Sequence, residues 1–437
     1  MEFLASEIAE MVGGTLSGPD CTVHGAAIDS RILQKGQLFV PVEAARDGHE
    51  FIGAAFANGA PATFTTGLIV EGGTSIVVDD CQAALQTLAR KVRPRLGDKV
   101  AGITGSVGKT STKDLVAAVL SRRWVTTANE KSFNNELGVP LTLVNAASDT
   151  EATVVEMGAR GFGHIADLCH IAQPTAAVIT AVELAHSELL GSVENIAQAK
   201  GELVEALPSS GVAILNADYN SVAAMAGRTS ARTIMFGVNR GDVRATNISV
   251  GDDLRARFEL QSDWGTAPVV LGVRGAHHVA NALAAASLAL VWDVPLDDVV
   301  DGLAAGQLSP WRMELHRTEN GAHIINDSYN AGPASMEAAL RALSHLPAER
   351  YVAVLGLMAE LGEFSQESHL RIAAVAKELG VELIAYQTTE YGVAPMQTFD
   401  EIIDRLGALN SNDAVLVKGS RVAGLEVLAT RLIGSTK

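Results

Sequence analysis

One segment constrains this chain more than any other: Ala101-Gly102-Ile103-Thr104-Gly105-Ser106-Val107-Gly108-Lys109-Thr110. It follows an apolar run, Val100–Thr104, that reads as a buried strand, and it opens a helical pattern over Thr110–Ser121. Glycines let a backbone fold round an anion without Cβ clashes, and loop N–H groups with a helix N-terminus favour negative charge. The strict spacing GxxxxGK[ST] wants Gly at position 103, where this chain has Ile103. The segment is therefore a variant phosphate loop in which Lys109 reaches the β- and γ-phosphates and the Thr110 hydroxyl sits on Mg²⁺. The other reading is a Gly-rich strand-to-helix turn with an unrelated lysine. The order of strand, loop and helix favours the nucleotide.

The rest of the chain repeats the same alternation. At 437 residues it suggests about three domains. Residues 1–97 read as a small α/β unit, with strands at Ala26–Ile28, Leu38–Val42 and Ser75–Val78 and helices at Glu50–Asn58 and Gln82–Val92. Arg93-Pro94-Arg95-Leu96-Gly97-Asp98 carries breakers and charges and marks a boundary. Over residues 98–309, Val100–Thr104, Thr153–Val155, Ala176–Thr180 and Val212–Leu215 predict buried strands joined by helices, hence a parallel sheet with crossovers. From residue 310 the pattern restarts, with strands at His323–Ile325, Tyr351–Leu355, Glu382–Tyr386 and Ala414–Val417, as in a second doubly wound, Rossmann-like domain. The expected fold class is α/β in three domains.

Charge and composition exclude several functions. Lys+Arg 33 against Asp+Glu 50 leaves a net charge of -17, which disfavours nucleic acid and anionic membrane as partners. Aromatics at 5% disfavour a base-stacking platform. Cys21, Cys81 and Cys169 are odd in number and widely spaced, so neither a disulfide framework nor a cysteine zinc site is expected. The longest apolar run, Val279 to Trp292, is too short to span a bilayer, which needs about 20 residues, and the N-terminus is acidic where a signal peptide is basic. A cytoplasmic protein without membrane insertion is expected.

Three further residues carry possible chemistry. Glu156 ends the strand Thr153–Val155, where a carboxylate in the domain of a phosphate loop can hold Mg²⁺ or simply be solvated. His186 lies in the loop after Thr180; a lone histidine is more often a satisfied surface or core residue than a ligand. Lys200 falls on the apolar stripe of the helix Ser192–Leu207, with Ile196 and Leu203. A buried ammonium gains a partner or loses its proton, and a neutral amine reacts with CO₂ to give a metal-binding carbamate. Periodicity alone favours a lysine snorkelling at the helix edge.

Together these motifs resemble the Mur ligase family, over nearly the whole chain. Asp29-Ser30-Arg31, Gly36–Pro41 and Arg46-Asp47-Gly48-His49-Glu50-Phe51-Ile52 resemble its recognition domain for a UDP-sugar peptide, with Ser30 and Arg31 near the uridine-diphosphate end. TGSVGKTS matches the family's ATP loop, which implies nucleotide contacts from Gly105, Ser106, Gly108, Lys109, Thr110 and Ser111. Lys131-Ser132-Phe133-Asn134-Asn135 resembles the stretch beside the phosphates, with Asn134 and Asn135 as substrate-binding residues. Glu156 and His186 fall where the family binds Mg²⁺, with Thr110, and Lys200 falls where relatives carry a carbamylated lysine, which reverses the periodicity reading. Asn281 matches a contact to the nucleotide base, Arg312 one to the ATP phosphates across the domain cleft, and Asp327 one near the ribose. Tyr329 and Asn330 follow as substrate-binding residues in Asn326-Asp327-Ser328-Tyr329-Asn330. Gly356–Gly362 and Val417-Lys418-Gly419-Ser420-Arg421 also match. The chain departs from the family at Ala181 (usually Asn), Trp311 (usually Gly), Gly332 (often Asn) and His164 (commonly Glu).

The resemblance implies an ATP-dependent amide ligase of peptidoglycan precursor synthesis, acting as a monomer. Its cofactors would be ATP and Mg²⁺, and its small-molecule substrates UDP-N-acetylmuramoyl-tripeptide and D-Ala-D-Ala. Lys109, His186, Lys200 and Arg312 would be its catalytic residues. A sister ligase acting on a free amino acid or on folate, and a nucleotide-binding regulator that makes no bond, are the alternatives.

Overall fold

The computed structural model describes residues 1–43, 45–67, 69–130, 132–183 and 191–434. Its strands fall into one sheet of nine, two of five and one of two. Every strand expected from the sequence is present to within a residue or two, except that Leu38–Phe39 is shorter than its apolar run. The expected helix over Glu50–Asn58 is a 3-10 turn, Gly48–Phe51, followed by an α-helix, Ile52–Ala57.

The nine-stranded sheet runs, edge to edge, Gly265–Arg274, Arg255–Ser262, Val243–Val250, Arg232–Gly237, Val212–Asn216, Ala176–Ile179, Lys99–Thr104, Ala152–Glu156, Thr126–Ala128. From Arg232–Gly237 to Thr126–Ala128 all pairings are parallel. The expectation of a parallel sheet needs one correction. Arg255–Ser262 pairs antiparallel with both neighbours, making a polar-faced meander at one edge. Its residues alternate buried and exposed along Gly265–Arg274, the pattern of a half-solvated antiparallel strand, and so present no continuous apolar run.

Lys99–Thr104 lies between Ala152–Glu156 and Ala176–Ile179, and the chain winds to one side of it before crossing to the other. That reversal opens a crevice at the strands' C-terminal ends, where open α/β sheets bind ligands. The helix His278–Val291 is apolar all round and packs against the helix Lys109–Leu120, with 0% exposure from Ala282 through Ala286. Its length is accounted for by burial inside the domain. Among the described residues no helix is long and apolar enough to cross a membrane.

The C-terminal sheet runs Glu314–Arg317, His323–Asn326, Asp413–Lys418, Arg350–Leu355, Glu382–Ala385, parallel but for the first strand. Separate apolar cores cover its two faces. The N-terminal unit shares a core with one face of the central sheet. Arg93, expected at a charged boundary, is 6% exposed and donates from Nε to the Ala172 carbonyl at 2.8 Å. It closes the C-terminus of the helix His164–Ala172, a favourable place for a cation.

Candidate active site

The phosphate loop sits at the C-terminal end of Lys99–Thr104 and feeds the helix Lys109–Leu120. Gly105 and Gly108 have φ of 154° and 82°, so the loop needs glycine at both. A Cβ on Gly108 would come within 2.6 Å of Asn281 Oδ1, and one on Gly105 would overlap the Thr180 hydroxyl. Ser106 is tied to the next strand's loop: its amide donates to Ala181 O at 2.8 Å and its hydroxyl to Glu183 O at 2.9 Å. Lys109 Nζ folds back to Gly105 O at 2.7 Å. Desolvation lowers the Lys109 pKa, against the pull of the facing Glu156. Ser111, in the helix's first turn, is buried and borders the same space.

Glu156 ends its strand at 1% exposure. Asn134 Nδ2 donates to its Oε1 at 2.7 Å, whereas Oε2 is buried with no hydrogen-bond partner among the described residues. A buried, unpaired carboxylate oxygen beside the Thr110 hydroxyl's loop is a donor set suited to a hard divalent cation, so the residues fit Mg²⁺. Asn135 instead accepts from Gly138 N at 2.9 Å and caps the following helix.

Lys200 is 3% exposed on the helix Val193–Glu205, as its place on the apolar stripe predicts. Desolvation, and then the charge of Lys109, pushes its pKa well below that of an ordinary lysine. Lys200 lines the cleft with its charged form disfavoured by burial. His186 lies outside the described residues, as does Lys131.

The C-terminal unit completes the site. Arg312 Nη2 donates to Thr110 Oγ1 at 2.9 Å, and the guanidinium stacks over the Tyr329 ring at 4.2 Å. Trp311 takes φ of 65°, the left-handed region, which explains why glycine suits that position. Arg421 stacks over its ring at 4.5 Å. Asp327 accepts from Met313 N at 3.1 Å and pairs with Lys418, whose Nζ also donates to Asn330 O at 2.9 Å. Asn281 accepts from the Thr112 hydroxyl at 3.2 Å and donates to His278 Nδ1 at 2.9 Å.

Most of these groups line one cavity of about 1220 Å³. It gathers Lys109, Thr110, Glu156, Lys200, Asn281, Arg312, Asp327, Tyr329 and Asn330 from sequence positions spread over two units, and reaches Gln82 and Arg90 of the N-terminal unit. Ser30 and Arg31 are not among its lining residues; Arg31 is exposed and bonded to Asp29 through Nε at 2.9 Å. That guanidinium holds the Asp29 carboxyl down at about 2. Lys418 was not picked out as a site residue from the sequence. A lysine closing the apolar run Ala414–Val417 was the available signal, since a charge at a buried strand end needs a partner.

Two family models match the chain: the Mur ligase middle domain over residues 103–289 and the Mur ligase glutamate ligase domain over residues 311–421. The UDP-N-acetylmuramoyl-tripeptide--D-alanyl-D-alanine ligase of Mycobacterium tuberculosis is 37% identical, over 99% of this chain and 98% of that protein. The chain belongs to the Mur ligase family. The Escherichia coli ligase of the same name is 34% identical over 98% of this chain and 97% of its own length. Among Mur ligase structures, MurF from Acinetobacter baumannii superposes with a TM-score of 0.88 at 29% identity, covering 99% of both chains. MurF ligase from Thermotoga maritima in complex with ADP gives 0.82 at 27% identity, covering 93% of this chain and 96% of that one.

Proposed function

We propose that this Mur ligase joins D-alanyl-D-alanine to UDP-N-acetylmuramoyl-tripeptide with ATP as the energy source. The tripeptide's terminal carboxylate attacks the γ-phosphorus of ATP, and ADP leaves. The dipeptide's amine then adds to the acyl phosphate through a tetrahedral intermediate, and phosphate departs as the amide forms. Full-length likeness to ligases of that name supports the substrates. The observation that carries the chemistry is the meeting of Arg312 with Thr110 at 2.9 Å over one shared cavity.

Phosphoryl transfer asks a protein mainly for positioning and charge. Lys109 leaves its loop carbonyls for the γ-phosphate, and Arg312 neutralises the same group from the other unit. Gly105, Ser106, Gly108, Thr110 and Ser111 surround the phosphates, Asn281 meets the base and Asp327 the ribose. Asn134, Asn135, Tyr329 and Asn330 line the acceptor's path, while Ser30 and Arg31 contact its uridine-diphosphate end outside the main cavity. Thr110 and Glu156 would hold one Mg²⁺, and Glu156, His186 and a carbamylated Lys200 a second; bound there, the ions would supply positive charge to the transferring group. Arg312 excludes water from the acyl phosphate by bringing its unit onto the loop.

Domain boundaries at 97/98 and 309/310, a cytoplasmic location and a monomeric state belong to the same reading. Confinement of each large sheet to one of the three segments supports the boundaries. Product analysis by mass spectrometry tests the substrate choice, with D-Ala-D-Ala and free diamino acids offered in competition. A product carrying D-Ala-D-Ala is expected; one carrying a free amino acid makes the chain a sister ligase.

A further inference from the structure

Behind the phosphate loop lies a buried chain of contacts that the mechanism leaves unused. Lys113 and Asp114 sit one turn beyond Lys109 and Thr110 in the helix Lys109–Leu120. Lys113 is 3% exposed, and its Nζ lies 2.9 Å from Asp114 Oδ1. Neither residue lines the cavity. A charge pair withdrawn from water persists when each partner is fully used, and here each partner holds a different part of the site.

Asp114 holds the linker between units. Its Oδ2 accepts from Ser309 N at 2.7 Å and its Oδ1 from the Ser309 hydroxyl at 3.1 Å. Ser309 stands three residues before Arg312. Lys113 holds the other wall. It donates to Asn129 O at 2.8 Å, and Asn129, 2% exposed, accepts from Glu156 N through Oδ1 at 2.9 Å. Asn129 Nδ2 also donates to Phe133 O at 2.9 Å, bracing the turn from which Asn134 reaches Glu156.

We propose that the Lys113–Asp114 pair is a positioning device that sets Arg312 and Glu156 in the cavity, through Ser309 and Asn129 respectively. This rests on the reading of Glu156 as a metal ligand. The pair touches no substrate. Its removal should loosen the carboxylate and the guanidinium together, without changing the dipeptide's own contacts.

Full-length Lys113→Met and Asp114→Asn are compared with Glu156→Gln. Mn²⁺ binding is followed by electron paramagnetic resonance with a non-hydrolysable ATP analogue present, beside thermal unfolding and steady-state kinetics. Lys113→Met and Glu156→Gln should each weaken Mn²⁺ by about 10- to 100-fold, the usual effect of losing a ligand's support. Asp114→Asn should lower kcat by a similar factor while KM for D-Ala-D-Ala stays within about twofold. Folded Lys113→Met and Asp114→Asn proteins with wild-type Mn²⁺ affinity and kcat, beside a Glu156→Gln that has lost the metal, would overturn the positioning role. Wild-type Mn²⁺ affinity in Glu156→Gln would instead overturn the metal reading itself. If Lys113→Met does not fold, Asp114→Asn decides alone: an unchanged kcat rejects the proposal and the stated loss upholds it.

Discussion

Arg312 and Thr110 stand 202 residues apart in sequence, yet the guanidinium of one donates to the hydroxyl of the other at 2.9 Å. The contact joins the C-terminal unit to the first helical turn after the phosphate loop. Arg312→Ala should lower kcat on the order of 10²–10³-fold, the scale for a donor aimed at developing charge. Arg312→Lys should recover little, because stacking over Tyr329 while bonding Thr110 uses a planar fork. Steady-state kinetics beside nucleotide-binding titrations check both, and equal losses in binding and turnover would refute the transition-state role.

Lys200 makes a pH prediction. Its folded pKa is lowered, so between that value and the unfolded value the unfolded chain binds a proton the fold does not. Stability from this group therefore rises as pH climbs toward the normal lysine pKa. Lys200→Met should be more stable than the wild type near neutrality, on the order of 1 kcal/mol or more. The gap should shrink toward pH 10, as followed by denaturant unfolding in CO₂-free buffer.

The same residue makes a chemical prediction. Lys200→Ala should be inactive and should regain part of its rate with a short-chain carboxylic acid, which stands in for the carbamate. Wild-type turnover by Lys200→Ala without added acid removes the carbamate from the account.

Trp311 carries backbone strain at φ of 65°. Trp311→Gly and Trp311→Ala both lose the stack with Arg421, but only the alanine keeps the left-handed penalty. The glycine variant should be the more stable of the two by roughly 1–2 kcal/mol. Equal melting temperatures would mean that the linker relaxes to another conformation.

Gly108→Ala should abolish nucleotide binding, because a Cβ there meets Asn281 Oδ1 at 2.6 Å and φ is 82°. Calorimetric titration with ADP measures it directly. Gly227, where nothing lies within 4 Å of an added Cβ, is the matched control: its alanine variant should bind as the wild type does.

Much of this was legible in the sequence, for identifiable reasons. Buried parallel strands such as Val212–Asn216 announce themselves as unbroken apolar runs, and the loop glycines announce a backbone no other residue tolerates. Lys200 was ambiguous by periodicity alone, since a snorkelling and a buried lysine share one helical position; its burial decides between them. The antiparallel meander from Val243 to Arg274 was missed because one of its faces is solvated and polar. The roles of Arg93 and of the Lys113–Asp114 pair were not legible at all. A charged residue in a boundary or a helix looks solvated until tertiary partners such as Ala172 O and Ser309 are known.

The chemistry proposed for this cleft is activation of a carboxylate on ATP for capture by a dipeptide amine. The most direct measurement follows phosphate release from ATP with UDP-N-acetylmuramoyl-tripeptide, with and without D-Ala-D-Ala, and counts the new amide. One phosphate per amide is expected, dependent on the dipeptide and lost in Lys109→Ala. Nucleotide binding with no dipeptide-dependent phosphate would contradict it.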